Sequence, residues 1–250
     1  MIGPQRQAGH RVRFDWGPAG AEAIAAGAEV AVVVDVLSFT TTLTVACERG
    51  ITVLPFAWKD ERAAAYAAEH DATLAMGRLE AREAPAGAVS LSPADMSRVT
   101  GVERLVLPSP NGSSICRSLA SSGASVVGAC LRNRSAVARH ARYAKTIAVV
   151  AAGERWPDGS LRPGVEDLWG AGAVLTAMVD LGVEGLSPEA ELAVAAYRAV
   201  AHDLPARLVA CASGLELSDA GFAEDVDVAS RLDVSDAVPV LGEDGAFIRR

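Results

Sequence analysis

Short apolar runs and Ala-rich helical stretches alternate along this chain. The apolar runs fall at residues 31–34 (AVVV), 51–56 (ITVLPF), 104–107, 125–129 and 146–151 (TIAVVA). Runs this short, rich in Val and Ile, predict strands covered on both faces. Between them, residues 17–27, 40–49, 59–70, 131–144 and 166–182 read as helical, several with Ala and charge at helical spacing. The first two stop at Gly27 and Gly50, a residue suited to the left-handed turn that closes a helix. A shorter strand is predicted at 73–76 and a last one at VPVL, residues 238–241. Residues 79–99 lose the pattern and read as a loop carrying SLSPADM, with a short turn opening at Ser92 or Pro93. The chain from 187 onward reads as mainly helical, and residues 1–16 as a polar, frayed start.

This alternation predicts an α/β fold, three-layer α/β/α with a mostly parallel sheet, over residues 1–250 as a single domain or as two closely packed related lobes. With 250 residues, half of them apolar, the chain can bury a large core. The net charge of -8 offers no general attraction to a polyanion, so nucleic acid is not an expected partner. No apolar run approaches the ~20 residues of a membrane span, and the N-terminal stretch lacks the apolar core of a secretory signal. A cytoplasmic protein is expected. Cys47, Cys116, Cys130 and Cys211 are isolated in apolar neighbourhoods and read as reduced core residues. The four histidines show no clustered spacing and read as surface residues.

Asp35 is the sharpest chemical candidate. It falls where the 31–34 strand leaves the core, and that end of an open α/β sheet is where ligands bind. An acid there is costly to bury unless a cation or hydrogen bonds hold it, so it is either a metal ligand or a cap for the next helix. Thr40, Thr41 and Thr42 follow at that helix start, where hydroxyls and free N–H groups either bind an anion or simply cap. After the 104–107 strand, Asn111, Gly112, Ser113 and Ser114 repeat the design, again as an anion contact or as ordinary turn chemistry. Glu166 and Asp167 open the longest helix, as Mg²⁺ ligands or as acids favoured by its dipole. Glu154 adds a fourth acid at a strand end. Arg78 and Arg132 each either pair a phosphate or carboxylate, or solvate a loop. Gly170 and Gly172 weaken their helix, which points to a close approach of backbone there.

Leu37 and Phe39 break the pattern of phosphatases that place a second acid two residues after the first, and no Gly-Lys phosphate loop, GxGxxG or GxSxG is present. The motifs that are present come in a definite order: DVLSFTTT (35–42), MGRLEA around Gly77 and Arg78, LSP (91–93), SPNGSS (109–114), AAGER (151–155), VEDLWGAGAV (165–174) and a tail over 213–240. As an ordered set they resemble the 2-phosphosulfolactate phosphatase family, the ComB-like proteins, along most of the chain. The resemblance implies a Mg²⁺-dependent acid phosphatase that converts 2-phosphosulfolactate, or a related phosphorylated 2-hydroxy acid, to the free hydroxy acid and phosphate, on a route to coenzyme M. Carried over by position, it implies a site of Asp35, Glu166 and Asp167, with Mg²⁺, and of Thr40, Thr41, Asn111 and Gly112, beside which Ser113 stands as a further substrate contact. Ser38 stands where the family carries an arginine, and Arg78 or Arg132 is the expected compensator. A homo-oligomer is expected. The reading from another class is a non-catalytic small-anion-binding protein that keeps the fold.

Overall fold

The computed structural model describes residues 3–57, 61–85 and 87–250. The start of the helix expected from 59, including Lys59 and Asp60, lies outside the described residues. Strands in chain order are β1 (Val12–Trp16), β2 (Val30–Val34), β3 (Thr52–Phe56), β4 (Thr73–Leu74), β5 (Arg104–Pro108) and β6 (Ser125–Ala129). They continue with β7 (Ile147–Ala151), β8 (Glu154–Arg155), β9 (Leu161–Arg162), β10 (Pro239–Leu241) and β11 (Phe247–Arg249). The helices are α1 (Gly17–Ala25), α2 (Phe39–Glu48), α3 (Glu61–Glu69), α4 (Arg78–Glu83), α5 (Pro93–Met96) and α6 (Gly112–Leu119). After them come α7 (Arg134–Ala141), α8 (Val165–Asp180), α9 (Pro188–Val200), α10 (Leu204–Ala210), α11 (Ala212–Asp219) and α12 (Ala223–Ser230).

Among the described residues nine strands form one sheet in the order β1-β7-β2-β6-β10-β11-β3-β5-β4. Parallel pairing joins β1, β7, β2 and β6 in one group and β3, β5 and β4 in another. The antiparallel hairpin of β10 and β11 joins the two groups, through Val240 opposite Val127 and Phe247 opposite Val53. A mostly parallel sheet flanked by helices is the three-layer α/β/α fold that the alternation predicts.

All of β2 and β7 is buried. On one face Val30, Val32 and Val34 pack with Val149 and with Val174 of α8 and Ala193 of α9. On the other, Ala31 and Val33 pack with Ile24 of α1, Leu43 of α2 and Ile115 of α6, in a cluster that also holds Val53, Leu105 and Phe247 of the second group. Cover on both faces is why these strands read as continuous apolar runs. The glycines of α8 serve close approach, as expected: a Cβ on Gly170 would lie 2.5 Å from Val36 Cγ2, and one on Gly172 would lie 2.1 Å from the Ala193 carbonyl oxygen.

Three segments differ from the expectation. The polar start contains β1, whose buried Arg13 donates to the carbonyls of Ile24 (3.0 Å) and Ala26 (3.2 Å), just where α1 ends and leaves carbonyls unpaired. The 79–99 loop opens with α4, and its short turn is α5, capped by Ser92 Oγ, which accepts from the Asp95 N–H at 3.1 Å. The final VPVL strand is followed by a partner, β11. Among the described residues no helix is long and apolar enough to cross a membrane.

Candidate active site

Strand β2 delivers Asp35 into the gap between two helix starts, one from each parallel group. Its Oδ1 accepts from the Phe39 N–H and its Oδ2 from the Gly112 N–H, both at 3.0 Å. It is a cap, as one of the two sequence readings had it, yet a cap shared by α2 and α6. Donors at helix N-termini favour its charge, but burial outweighs them and raises the carboxyl to about 6. Gly112 is required for the approach: a Cβ there would lie 2.4 Å from Phe39 Cδ1 and 2.7 Å from Asp35 Oδ2.

The threonines build the turn that holds this acid. Thr40 Oγ1 donates to the Asp35 carbonyl (2.7 Å) and accepts from the Asp35 N–H (2.8 Å), and Thr41 Oγ1 donates to the Val36 carbonyl (2.7 Å). Both hydroxyls therefore face the backbone instead of an open anion site, a common use of Thr at a helix start. Thr42 lines the cleft, with its hydroxyl on the Leu91 carbonyl at 2.9 Å. Ser113 is likewise turned inward, to the Leu107 carbonyl at 3.0 Å.

The cleft, about 180 Å³, is lined by Asp35, Ser38, Thr42, Arg78, Asn111 and Glu154 together with apolar neighbours. Glu154 Oε2 accepts from Asn111 Nδ2 at 2.9 Å. Burial, followed by the charges of Asp35 and Glu166, raises Glu154 to about 7. Asp167 lies behind the cleft and fastens the ends of β2 and β7, accepting from the Val36 N–H at 2.7 Å and the Gly153 N–H at 2.8 Å. Burial first, then Asp35 and Glu166, raises it well above the usual carboxylate range. Glu166 accepts from Ser213 Oγ at 2.6 Å.

Four acids thus crowd together, and each is turned to its own partner. Among the described residues no three His, Cys, Asp or Glu side chains gather as one set of metal ligands. Mg²⁺ does not need such a set, since it keeps waters and is usually bound by one or two carboxylates plus substrate phosphate. Asp35 and Glu154, the two acids that line the cleft, meet that requirement as hard oxygen donors.

Arg78 reaches the cleft and Arg132 does not. Arg78 donates from Nη2 to Ser38 Oγ and from Nε to Asp225 Oδ2, both at 2.5 Å. Arg132 donates to the Val228 carbonyl at 3.1 Å and pairs with Glu48 at 3.2 Å, so it braces α12 against α2. In the sequence Asp225 and Ser213 carry no signal of a role at the site, while Glu154 shows only its place at a strand end and Ser92 only its place at a turn. Ser213 and Asp225 come from α11 and α12, which fold back over the site from far along the chain. Ser92 was the one with a local signal, as a cap.

The carboxyl ends of two parallel strand groups converge here on a small cleft whose described lining holds two acids and one guanidinium, a set that suits an α/β-fold hydrolase of phosphoric monoesters. The sequence comparisons narrow it. A family model described as 2-phosphosulpholactate phosphatase matches residues 20–244, and the chain belongs to that family. β1 lies outside the matched residues. Relatives called probable 2-phosphosulfolactate phosphatase occur in Deinococcus radiodurans (32% identical over 217 residues, 85% of this chain and 88% of the relative) and Thermus thermophilus (32% over 216 residues, with the same shares). Another, in a Cyanothece species, is 28% identical over 232 residues, 88% of this chain and 92% of the relative.

Proposed function

We propose that this protein hydrolyses 2-phosphosulfolactate, or a close phosphorylated 2-hydroxy acid, to the free hydroxy acid and phosphate with Mg²⁺ bound in the cleft. The observation that carries this is the gathering of Asp35, Glu154 and Arg78 on the wall of one small cleft. Asp35 and Glu154 would hold the Mg²⁺, which when bound neutralises charge on the phosphoryl oxygens and acidifies water. Two N–H groups fix the Asp35 carboxylate, so that it need not reorganise as charge develops. Asn111 orients Glu154 through Nδ2, while Thr40 and Thr41 keep the turn that aims Asp35. Glu166 adds negative charge behind the cleft, which favours a cation in front of it.

Phosphate release from 2-phosphosulfolactate and 2-phospholactate, with Mg²⁺ or with chelator, tests the reading. Turnover that chelator abolishes is expected. Asp35→Asn should lower it about 100-fold or more, since several kcal/mol of charge stabilisation is at stake. Binding without turnover on both esters would leave an anion-binding protein instead. A reducing, cytoplasmic setting belongs to the same proposal, supported by four buried free cysteines. So does self-association, supported by the exposed Trp156 and Leu161 at the β8–β9 hairpin; a monomer in sedimentation velocity would remove it.

A further inference from the structure

Arg78 is the one Lys or Arg among the described residues that line the cleft, and it is held rather than left to swing. Its Nε meets Asp225 and its Nη2 meets Ser38, while the Phe222 ring lies 5.8 Å from its Cζ. Asp225 is 1% exposed, and its other oxygen accepts from Ser92 Oγ and from the Ala94 N–H at 3.2 Å. A carboxylate fixed on every side is a poor partner for a mobile surface arginine and a good anchor for a planar fork. The two bonds use only part of the five N–H donors of a guanidinium, which leaves others for a ligand.

The cleft also has a division of charge. Asp35 and Glu154 are the acids on its wall, and among the described residues Arg78 is hydrogen-bonded to neither. A plain phosphomonoester brings one anionic group into such a space. A phosphorylated 2-hydroxy acid brings two, and with the cation on the phosphoryl group the guanidinium of Arg78 is the side-chain positive charge in the described lining that can receive the second. We propose that Asp225, with Ser38, is a positioning residue that holds Arg78 to read the second, non-transferred oxyanion of the substrate, a carboxylate or sulfonate. Resting on the phosphatase reading above, this makes the cleft selective for phosphorylated hydroxy acids over plain phosphomonoesters.

The test compares kcat/KM on 2-phospholactate with that on propan-2-yl phosphate, which keeps the secondary ester and lacks the carboxylate. The parent should prefer 2-phospholactate, and Arg78→Gln should reduce that preference about tenfold or more, chiefly through KM. An equal loss on both esters would place Arg78 on the phosphoryl group and overturn the proposal. 2-Phosphosulfolactate in the same series tells sulfonate from carboxylate reading, according to which ester loses more.

Added guanidinium should restore the preference of Arg78→Ala and fail to restore it in Arg78→Ala with Asp225→Asn. Rescue that is indifferent to Asp225 would reduce that residue to a structural brace. Should the Asp225→Asn chain not fold by circular dichroism, Ser38→Ala in the Arg78→Ala background serves instead, with weaker rescue expected and undiminished rescue counting against the clamp. If the parent turns over neither ester, the phosphatase reading fails by itself. Calorimetric binding of sulfolactate to the parent and to Arg78→Gln then still decides, since equal affinity would sink the inference and weaker binding by the variant would sustain it.

Discussion

Gly112 shows how little room the site allows. Its N–H holds one oxygen of Asp35, and the missing Cβ is what lets α6 come that near. Gly112→Ala should push α6 off Asp35 and cost about 100-fold in kcat/KM, since a shift of ~1 Å at a reacting group has that effect. The stability loss from overpacking should be only ~1–3 kcal/mol. A folded variant with the parent's activity would show that the contact does not matter. A second expectation concerns Asp35 as a nucleophile: both its oxygens are fixed by N–H groups, which suits the proposed metal-holding role and not attack, so rapid acid quench should trap no acyl phosphate. Asp35 was legible in the sequence because a charge at the end of an apolar run has few explanations. The direction of the Thr40 and Thr41 hydroxyls was not, because the turn decides it and not the residue type. Asp225 was not legible at all. Its partner lies 147 residues away, and EDVDV reads like any solvated acidic helix.

At the scale of elements, α8 connects the site to the packing of the fold. Its first turn supplies Glu166 and Asp167, and its middle lies against β2 and α9 through Gly170 and Gly172. Gly172→Ala would drive a methyl into the Ala193 carbonyl and force α8 and α9 apart. Thermal unfolding should reveal a loss of ~1–3 kcal/mol, and an unchanged midpoint would mean that the helices have slack the structure does not show. The glycine pattern made this approach readable in the sequence. β1 falls in the stretch read as a polar, frayed start, because Arg13 and Asp15 hid the period of two formed by Val12, Phe14 and Trp16. What the pattern could not convey is that free carbonyls of α1 would satisfy the Arg13 guanidinium. The α/β class itself was fully legible, because it depends on alternation and not on any one contact.

For the whole molecule, the crowded acids tie stability to pH. Asp35 and Glu154 rise from ordinary values of 3.8 and 4.5 to about 6 and about 7, and Asp167 moves the same way. Between pH 4 and 7 the folded chain therefore binds more protons than the unfolded one. The stability these groups contribute is fully present at the acid end of that window and is lost as pH rises through 6 and 7. Each tenfold weakening of a carboxyl's acidity on folding corresponds to about 1.4 kcal/mol. The metal-free protein should melt lower at pH 8 than at pH 5. Mg²⁺ should raise the midpoint more at pH 8, where the carboxylates are ionised. Midpoints that climb with pH in the absence of metal, or that ignore Mg²⁺ at pH 8, would contradict this.

The join between the two parallel groups has a consequence in time. Residues 239–249 follow every other strand in chain order, and β10 and β11 are the only strands through which the groups share backbone pairing among the described residues. A ribosome thus releases β2 with Asp35 and β5 with the Gly112 turn well before the hairpin that unites their sheets exists. The nascent chain has to carry two unfinished sheet edges until that hairpin emerges, and a message cut short before it yields a protein whose two halves of the cleft lack their common frame.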